Sequence, residues 1–130
     1  MNNLVNAMKT KSNFAALKGC AADEIAAAEE ELGLKFAEDY IDFLKAYGIA
    51  SFEGHEIVGI CKSPRLDVVS VTKRMKQIYA DAPNDWYVIE DMSIDDVVIW
   101  QDSEGFVWQT IPNANPKIIA DNLMEYISKQ

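Results

Sequence analysis

The sequence is poor in the residues that most catalytic and metal sites require. Its 130 residues include one histidine, His55, and two cysteines, Cys20 and Cys61. Serine and cysteine nucleophiles rely on a histidine base, and a zinc site needs three or four nitrogen or thiolate ligands close together. We therefore predict no catalytic residue, no metal site and no cofactor, and we do not expect an enzyme. His55 is predicted to be an ordinary surface side chain.

Glycine-rich phosphate-binding motifs are absent as well. Neither G-x-x-x-x-G-K-[ST] nor G-x-G-x-x-G occurs in the chain, so no loop is predicted to hold a nucleotide phosphate. Carboxylates are plentiful, with 21 Asp and Glu residues. A pair of carboxylates acting in a cleft beside the sheet therefore stays open as an alternative.

Long apolar runs are also missing. No run approaches the roughly 20 residues that cross a bilayer, and the N-terminal "MNNLVNAMKTKSNF" lacks the apolar centre of a signal peptide. We expect a cytoplasmic protein in which Cys20 and Cys61 are free thiols, with a disulfide between them as the less favoured alternative. The length predicts one domain, residues 1–130.

Basic residues are missing from one long stretch, between Lys76 and Lys117. Residues 1–80 hold eleven acidic and ten basic residues, a net charge of −1, whereas residues 81–130 hold ten acidic and two basic residues, a net charge of −8. Such a field repels nucleic acid and anionic membrane and attracts a basic protein. The simpler alternative is that an acidic surface keeps the protein soluble.

The first half of the chain is predicted to be mainly helical. We expect one helix over Leu4–Leu17, a second that ends at Gly33, and a third over Ala37–Tyr47 that ends at Gly48. Both glycines are predicted to take the positive φ that commonly ends a helix. The aromatic residues inside the third helix are predicted to be core.

After Gly48 the apolar period shortens. Residues 52–60 predict one strand, or two short strands with a break at Gly54. A helix follows over Val71–Tyr79, with Ser70 as its N-cap and an apolar stripe formed by Val71, Met75, Ile78 and Tyr79. "WYVIED" predicts a strand. Residues 97–100 are apolar on both faces and predict a central strand.

The C-terminal pattern contains one hairpin and one helix. Two β runs flank "DSEG", where Gly105 is predicted to have positive φ. The last helix is predicted to begin after "NANP", with Asn115 as its cap. The order of helices, strand, helix, strands and helix predicts an α+β fold: a single domain with a mixed or antiparallel sheet packed with N-terminal helices and a C-terminal helix.

These motifs resemble the SUKH superfamily, the cell-wall assembly regulator and knob-like immunity family. The likeness covers about residues 22–130 and includes the strand run "YVIEDMSIDDVVIWQDSEGFVWQ". Its N-terminal signature is matched by Ile25, Glu29, Leu32, Gly33, Asp39, Tyr40, Phe43, Leu44, Tyr47 and Gly48. The resemblance implies an α+β domain with no catalytic residues to transfer. In bacteria it implies an immunity protein that binds and neutralises a cognate toxin, often a nuclease. Some relatives are linked to cell-wall synthesis.

The leading hypothesis is therefore an immunity protein that binds a basic toxin through an acidic surface. The alternatives are a regulatory or scaffold domain linked to cell-wall synthesis and, less favoured, a small-molecule binder. No nucleic-acid or membrane partner is expected, and the oligomeric state is left open. Trp86 or Tyr87 is the candidate aromatic anchor among the predicted partner-binding residues, which are Glu53, Glu56, Asp85, Trp86, Tyr87, Asp91, Asp95 and Asp96.

Overall fold

The computed structural model describes residues 3–92 and 94–129. Within these residues the chain forms five helices and seven strands. The helices are α1 (Asn3–Lys9), α2 (Ala22–Leu32), α3 (Glu38–Ala46), α4 (Val68–Ile78) and α5 (Leu123–Ser128). The strands are β1 (Ala15–Lys18), β2 (Tyr47–Phe52), β3 (His55–Ile57), β4 (Tyr87–Asp91), β5 (Val98–Gln101), β6 (Val107–Thr110) and β7 (Lys117–Ala120).

The strands form two antiparallel sheets, in the orders β1-β2-β3 and β4-β5-β6-β7. A backbone hydrogen bond of 2.9 Å from Val58 N to Ile89 O links the end of the first sheet to the second. One cluster of buried apolar side chains extends through both sheets and the helices. Helix α1 packs against α5. The predicted α+β class is confirmed, with antiparallel sheets.

Strand β5 lies in the interior of the second sheet, and all four of its residues are buried. Trp100 is completely buried, and its Nε1 donates a 2.8 Å hydrogen bond to Thr110 Oγ1 on β6. The run of apolar residues on both faces correctly predicted a covered central strand. The turn after β5 places Gly105 at φ 105°, which confirms that prediction.

The aromatic residues of α3 belong to the core, as predicted. Tyr40 and Phe43 are completely buried, with their rings stacked at a centroid distance of 5.6 Å. The Tyr40 hydroxyl donates a 2.7 Å hydrogen bond to Val58 O, which satisfies its polar group inside the core. The apolar stripe of α3 thus packs it against the region where the two sheets meet.

The single helix predicted over residues 4–17 is wrong. Helix α1 ends at Lys9, and residues 15–18 form β1, which pairs with β2. Asn13 has a φ of 58° in the connection between them. Strand β1 forms because β2 offers it a pairing partner, and tertiary pairing of this kind overrides weak local preference.

The start of α4 is also corrected. The helix begins at Val68, and its N-cap is Asp67, not Ser70. Asp67 Oδ2 accepts a hydrogen bond of 3.2 Å from Ser70 N, the bond expected of an N-cap carboxylate. Both residues are good cap formers, and the structure places the cap three residues earlier than the apolar stripe suggested.

The C-terminal helix starts later than predicted. Asn115 does not cap it, because Lys117–Ala120 form the edge strand β7. Helix α5 begins at Leu123, and its N-cap is Asn122, whose Oδ1 accepts a 2.7 Å hydrogen bond from Glu125 N. The β-branched pair at 118–119 therefore belongs to a strand, as its residue type favours.

The prediction that Gly48 ends α3 with positive φ is wrong. Helix α3 ends at Ala46, and Gly48 lies within β2 without a positive φ. An added Cβ there would lie 2.8 Å from Lys18 O on the neighbouring strand. Glycine is required at this position because two backbones approach closely. Gly33, by contrast, has a φ of 69° and ends α2 as predicted.

Candidate partner-binding surface

The predicted acidic residues lie in three separate places. Two are on the β2–β3 hairpin, one precedes β4, and three lie around the turn from β4 to β5. The two ends of β4 are about 13 Å apart, given the rise of a strand. Glu53 and Glu56 are on the hairpin, Asp85 precedes β4, and the β4–β5 turn carries Asp91, Asp95 and Asp96.

The hairpin group is tied to neighbouring segments. Glu53 and Gly54 form a two-residue turn with φ values of 50° and 84°, the pattern of a type I′ turn. Ser12 N donates a 3.2 Å hydrogen bond to Glu53 Oε2. Glu56 forms a bidentate ion pair with Arg65 at 2.6 and 3.1 Å. The hydrogen bonds from Arg65 lower the pKa of Glu56. The negative charge of Glu56 is therefore already paired with the guanidinium of Arg65.

Asp85 has a structural role in the loop before β4. Its Oδ2 accepts hydrogen bonds from Ser103 N at 3.2 Å and from Ser103 Oγ at 2.9 Å. These bonds hold the β5–β6 turn against the start of β4. Lys76 lies close by, and its Nζ donates a 3.0 Å hydrogen bond to Asn84 O. Burial lowers the pKa of Lys76, and the nearby Asp85 opposes that shift.

The turn between β4 and β5 brings three carboxylates together. Val97 N donates a 3.1 Å hydrogen bond to Ile94 O across the turn. Asp95 and Asp96, its two central residues, have φ values of 54° and 58° and are exposed. With Asp91 they line a small pocket of about 190 Å³ beside α4. Aspartate tolerates this left-handed conformation better than most residues.

Two exposed isoleucines flank this turn, and neither was predicted to be a surface residue. Ile78 at the end of α4 is 63% exposed, and Ile94 is 64% exposed. Ile78 lines the same pocket as Asp91, Asp95 and Asp96. We call these five residues, Ile78, Asp91, Ile94, Asp95 and Asp96, the acidic–apolar patch. The apolar period of α4 had assigned Ile78 to its buried stripe, and nothing local distinguished Ile94.

Trp86 and Tyr87, one of which was the candidate aromatic anchor, are both core residues. Trp86 is 4% exposed, and its ring stacks on Trp108 at a centroid distance of 4.9 Å. Tyr87 is completely buried. Its hydroxyl donates to Gln101 Oε1 at 2.7 Å and accepts from Ala37 N at 2.9 Å. Neither side chain projects from the surface as an anchor would.

Basic residues from earlier in the chain fold back onto part of the acidic stretch. Arg65 pairs with Glu56 and lies close enough to Asp91 to interact with its charge. Arg74 Nη2 is 4.0 Å from Asp91 Oδ2. Within the described part of the chain, Asp95 and Asp96 form no ion pair. The unbalanced negative charge of this region therefore concentrates at the tip of the turn.

His55 is not the ordinary surface residue that was predicted. Its side chain is 19% exposed, and its Nδ1 lies 2.9 Å from Oε2 of Glu90. Glu90 is 2% exposed, and its Oε1 accepts a short hydrogen bond from the Tyr126 hydroxyl. Burial raises the pKa of Tyr126. The network joins β3, β4 and α5, and the wide sequence separation of its members concealed it.

Asp39, part of the family-like signature, has a structural position. Its Oδ2 accepts a 2.7 Å hydrogen bond from Leu123 N at the start of α5, and its Oδ1 accepts a 2.9 Å bond from Gln101 Nε2. Burial raises the pKa of Asp39 although both bonds favour its charged form. The carboxylate therefore connects α3, β5 and α5.

Over residues 3–92 and 94–129, no three or more His, Cys, Asp or Glu side chains are arranged to hold a metal ion. No helix in these ranges is long and apolar enough to cross a membrane. Fold and surface together define a small α+β protein with an exposed acidic–apolar patch.

Comparison with known protein families identifies the family of this chain. The chain belongs to the SUKH_5 family, described as SMI1-KNR4 cell-wall, which matches residues 1–130. The resemblance seen from about residue 22 onward is confirmed, and the match extends to the first residue. A comparison with curated proteins found no match.

Proposed function

We propose that the protein is an immunity protein that binds and neutralises a basic protein toxin, and that it is not an enzyme. SUKH domains are protein-binding domains of the immunity type, which supports a binding role. The observation that carries the proposal is the acidic–apolar patch, where Asp95 and Asp96 stand beside exposed Ile78 and Ile94. Charge and apolar area side by side are typical of a protein interface.

The charge of the patch fits a toxin that acts on nucleic acid. A nuclease binds phosphates through Lys and Arg, so its active surface is basic. Carboxylates at the tip of the β4–β5 turn would compete for those basic groups and would speed the encounter between the two proteins. The same charges would repel nucleic acid itself.

The direct test is co-expression with the toxin encoded by a neighbouring gene, combined with association rates measured at low and high salt. Asp95→Asn/Asp96→Asn removes two charges. Asparagine is chosen because it tolerates positive φ at both positions, where lysine would be strained. The matched control is Glu30→Gln/Asp121→Asn, which removes two exposed charges elsewhere.

We expect the patch variant to associate about three- to tenfold more slowly at low salt, with a weaker salt dependence. The control variant should associate like the unchanged protein. Full protection of cells, together with an unchanged association rate for the patch variant at both salts, would show that the acidic–apolar patch is not the interface.

A second candidate is a regulatory or scaffold domain linked to cell-wall synthesis. The observation that favours it is the description of the matching family, which names the cell wall. A toxin gene immediately upstream would favour the immunity role, whereas a neighbouring cell-wall gene would favour the second. The pocket of about 190 Å³ lined by Asp91, Asp95 and Asp96 is smaller than the roughly 300–1,000 Å³ typical of ligand pockets, which argues against a small-molecule site at this turn.

A further inference from the structure

The last residue of α4 separates two pockets of different chemistry. On one side of Ile78 is the acidic pocket of about 190 Å³, which also includes the apolar side chains of Met75 and Val98. On the other side is a larger pocket of about 380 Å³ between the end of α4 and the β6–β7 loop. Ile78 lines both pockets, so it forms the ridge between them.

The larger pocket has a lining that mixes apolar and polar groups. Its apolar part includes Ala82, Trp86 and Pro116, and its polar part includes Thr110 and Asn115. Trp86 is nearly buried, so it contributes to the floor and not to the rim. Asp81, at the start of the base-free stretch, adds a carboxylate to the lining. An apolar side chain that enters here would therefore contact the apolar part of the lining, with negative charge close by.

Hydrogen bonds and ring stacking hold both pockets in shape. The Tyr79 hydroxyl donates a 2.8 Å hydrogen bond to Asp96 O, which joins the end of α4 to the β4–β5 turn. Trp86 stacks on Trp108, and its backbone N donates a 3.1 Å hydrogen bond to Pro83 O. A preformed site loses less conformational entropy on binding than a flexible one.

We propose that the two pockets bind one segment of the partner in which a lysine or arginine is next to a large apolar residue. This inference rests on the proposed function and specifies the chemistry that the patch recognises. The basic side chain would lay its aliphatic part against the exposed side chain of Ile78 and direct its charge to Asp91, Asp95 and Asp96. The neighbouring apolar side chain would fill the larger pocket across Ile78.

Charge complementarity selects this occupant over the others. An anionic membrane or nucleic acid would meet the negative field of the β4–β5 turn and be repelled. A purely apolar segment would fill the larger pocket but would bring no counter-charge to Asp95 and Asp96. A purely basic segment would leave Ile78 exposed to water. Only a mixed segment satisfies both sides of the ridge.

The test uses synthetic peptides as probes and does not require the toxin. One peptide alternates lysine with leucine, and its charge-matched counterpart alternates lysine with serine. Binding is followed by NMR of isotope-labelled isoleucine methyl groups. The lysine–leucine peptide should shift the methyl signals of Ile78 and Ile94, and it should bind about tenfold more tightly than the lysine–serine peptide because it buries apolar surface.

Two isoleucine substitutions complete the test. Ile78→Ser removes the ridge without changing the charge, and it should abolish the preference for the lysine–leucine peptide. Ile118→Ser is the control, because Ile118 is a 45% exposed isoleucine on β7 that lines neither pocket. This variant should keep the preference. The proposal is overturned if the two peptides bind equally well or if Ile118 shifts as strongly as Ile78.

Self-association is the remaining occupant to be tested. One contrary result would be a dimer in sedimentation that the Ile78→Ser substitution dissociates but that the peptides leave intact. In that case the ridge binds a second copy of the protein, and the proposal is overturned. These peptide results are independent of the co-expression experiment. If binding of the toxin requires Asp95 and Asp96 but not Ile78, the immunity role is supported and only the two-pocket site is refuted.

Discussion

Helices α2 and α3 end in different ways although a glycine stands near the end of each. Gly33 closes α2 locally: its N–H bonds to Glu30 O at 3.2 Å, and Leu34 N bonds to Glu29 O at 3.1 Å. This is the Schellman arrangement, complete within six residues. At the end of α3, Leu44 O accepts a 2.7 Å hydrogen bond from Cys20 N, which is far away in sequence.

The difference shows that a helix end can be specified locally or by tertiary structure. The end of α2 requires one residue with positive φ, and there is open space around Gly33. The end of α3 depends on the segment around Cys20, which donates the hydrogen bond to Leu44 O. It also depends on β2, which begins at the residue directly after the helix. The two ends should therefore respond to substitution in different ways.

The largest effect is expected at Leu44, which is completely buried near the end of α3. Leu44→Ala should lower the free energy of unfolding by about 2–5 kcal/mol, because it leaves a cavity in the core. Leu32→Ala, at the half-buried end of α2, should cost only about 1 kcal/mol. Urea denaturation of both variants measures the difference, and equal losses would contradict it.

The next effect is expected at Gly48. Gly48→Ala should lower the free energy of unfolding by about 1–3 kcal/mol, because the new Cβ would be only 2.8 Å from the Lys18 carbonyl oxygen. Amide hydrogen exchange in β1 should speed up at the same time. Unchanged exchange in Ala15–Lys18 would show that β1 and β2 do not depend on this close approach.

A smaller effect is expected at Gly33. Gly33→Ala should cost about 1 kcal/mol, because alanine disfavours the φ of 69°. Gly33→Asn should recover part of this loss, since asparagine tolerates the left-handed conformation. Gly48→Asn should be no more stable than Gly48→Ala, because the loss at Gly48 comes from a steric clash of the Cβ and not from the φ angle. Thermal or urea denaturation of the four variants tests the contrast directly.

The smallest effect is expected at Cys20. Cys20→Ala should change the free energy of unfolding by less than about 1 kcal/mol, because the bond to Leu44 O uses the backbone N–H and survives the substitution. Burial raises the pKa of the Cys20 thiol, so its reaction with a thiol reagent at pH 7 should be slower than that of free cysteine. A large loss of stability on Cys20→Ala would show that the side chain itself supports the end of α3.

The elements that could be predicted from sequence were those whose pattern is local. Helix α2 has its own stop signal, and β5 is apolar on both faces, so both were identified. Strands β1 and β7 have four residues each and depend on partners elsewhere in the chain. A segment this short carries too little periodicity to be distinguished from a helix, which explains both errors.

The acidic residues of the candidate site could be predicted, but their surroundings could not. The lack of basic residues near Asp95 and Asp96 was visible in the sequence, and these two lie at an exposed turn. The ion pair of Glu56 with Arg65 and the burial of Trp86 depend on how distant segments meet. Ile78 shows the limit of prediction from helical periodicity most clearly. The period placed it on the apolar stripe of α4, but as the last residue of the helix it is exposed.

The packing of α1 on α5 has a consequence for synthesis of the protein on the ribosome. Leu4 and Met8 of α1 are almost fully buried in the finished fold. Helix α5 follows α1 by more than one hundred residues, so the ribosome makes it much later. Contacts between such distant segments form slowly. Helix α1 also contacts α3, so until α5 emerges from the exit tunnel only part of its packing surface is covered. We expect chaperones to bind the nascent chain during that interval.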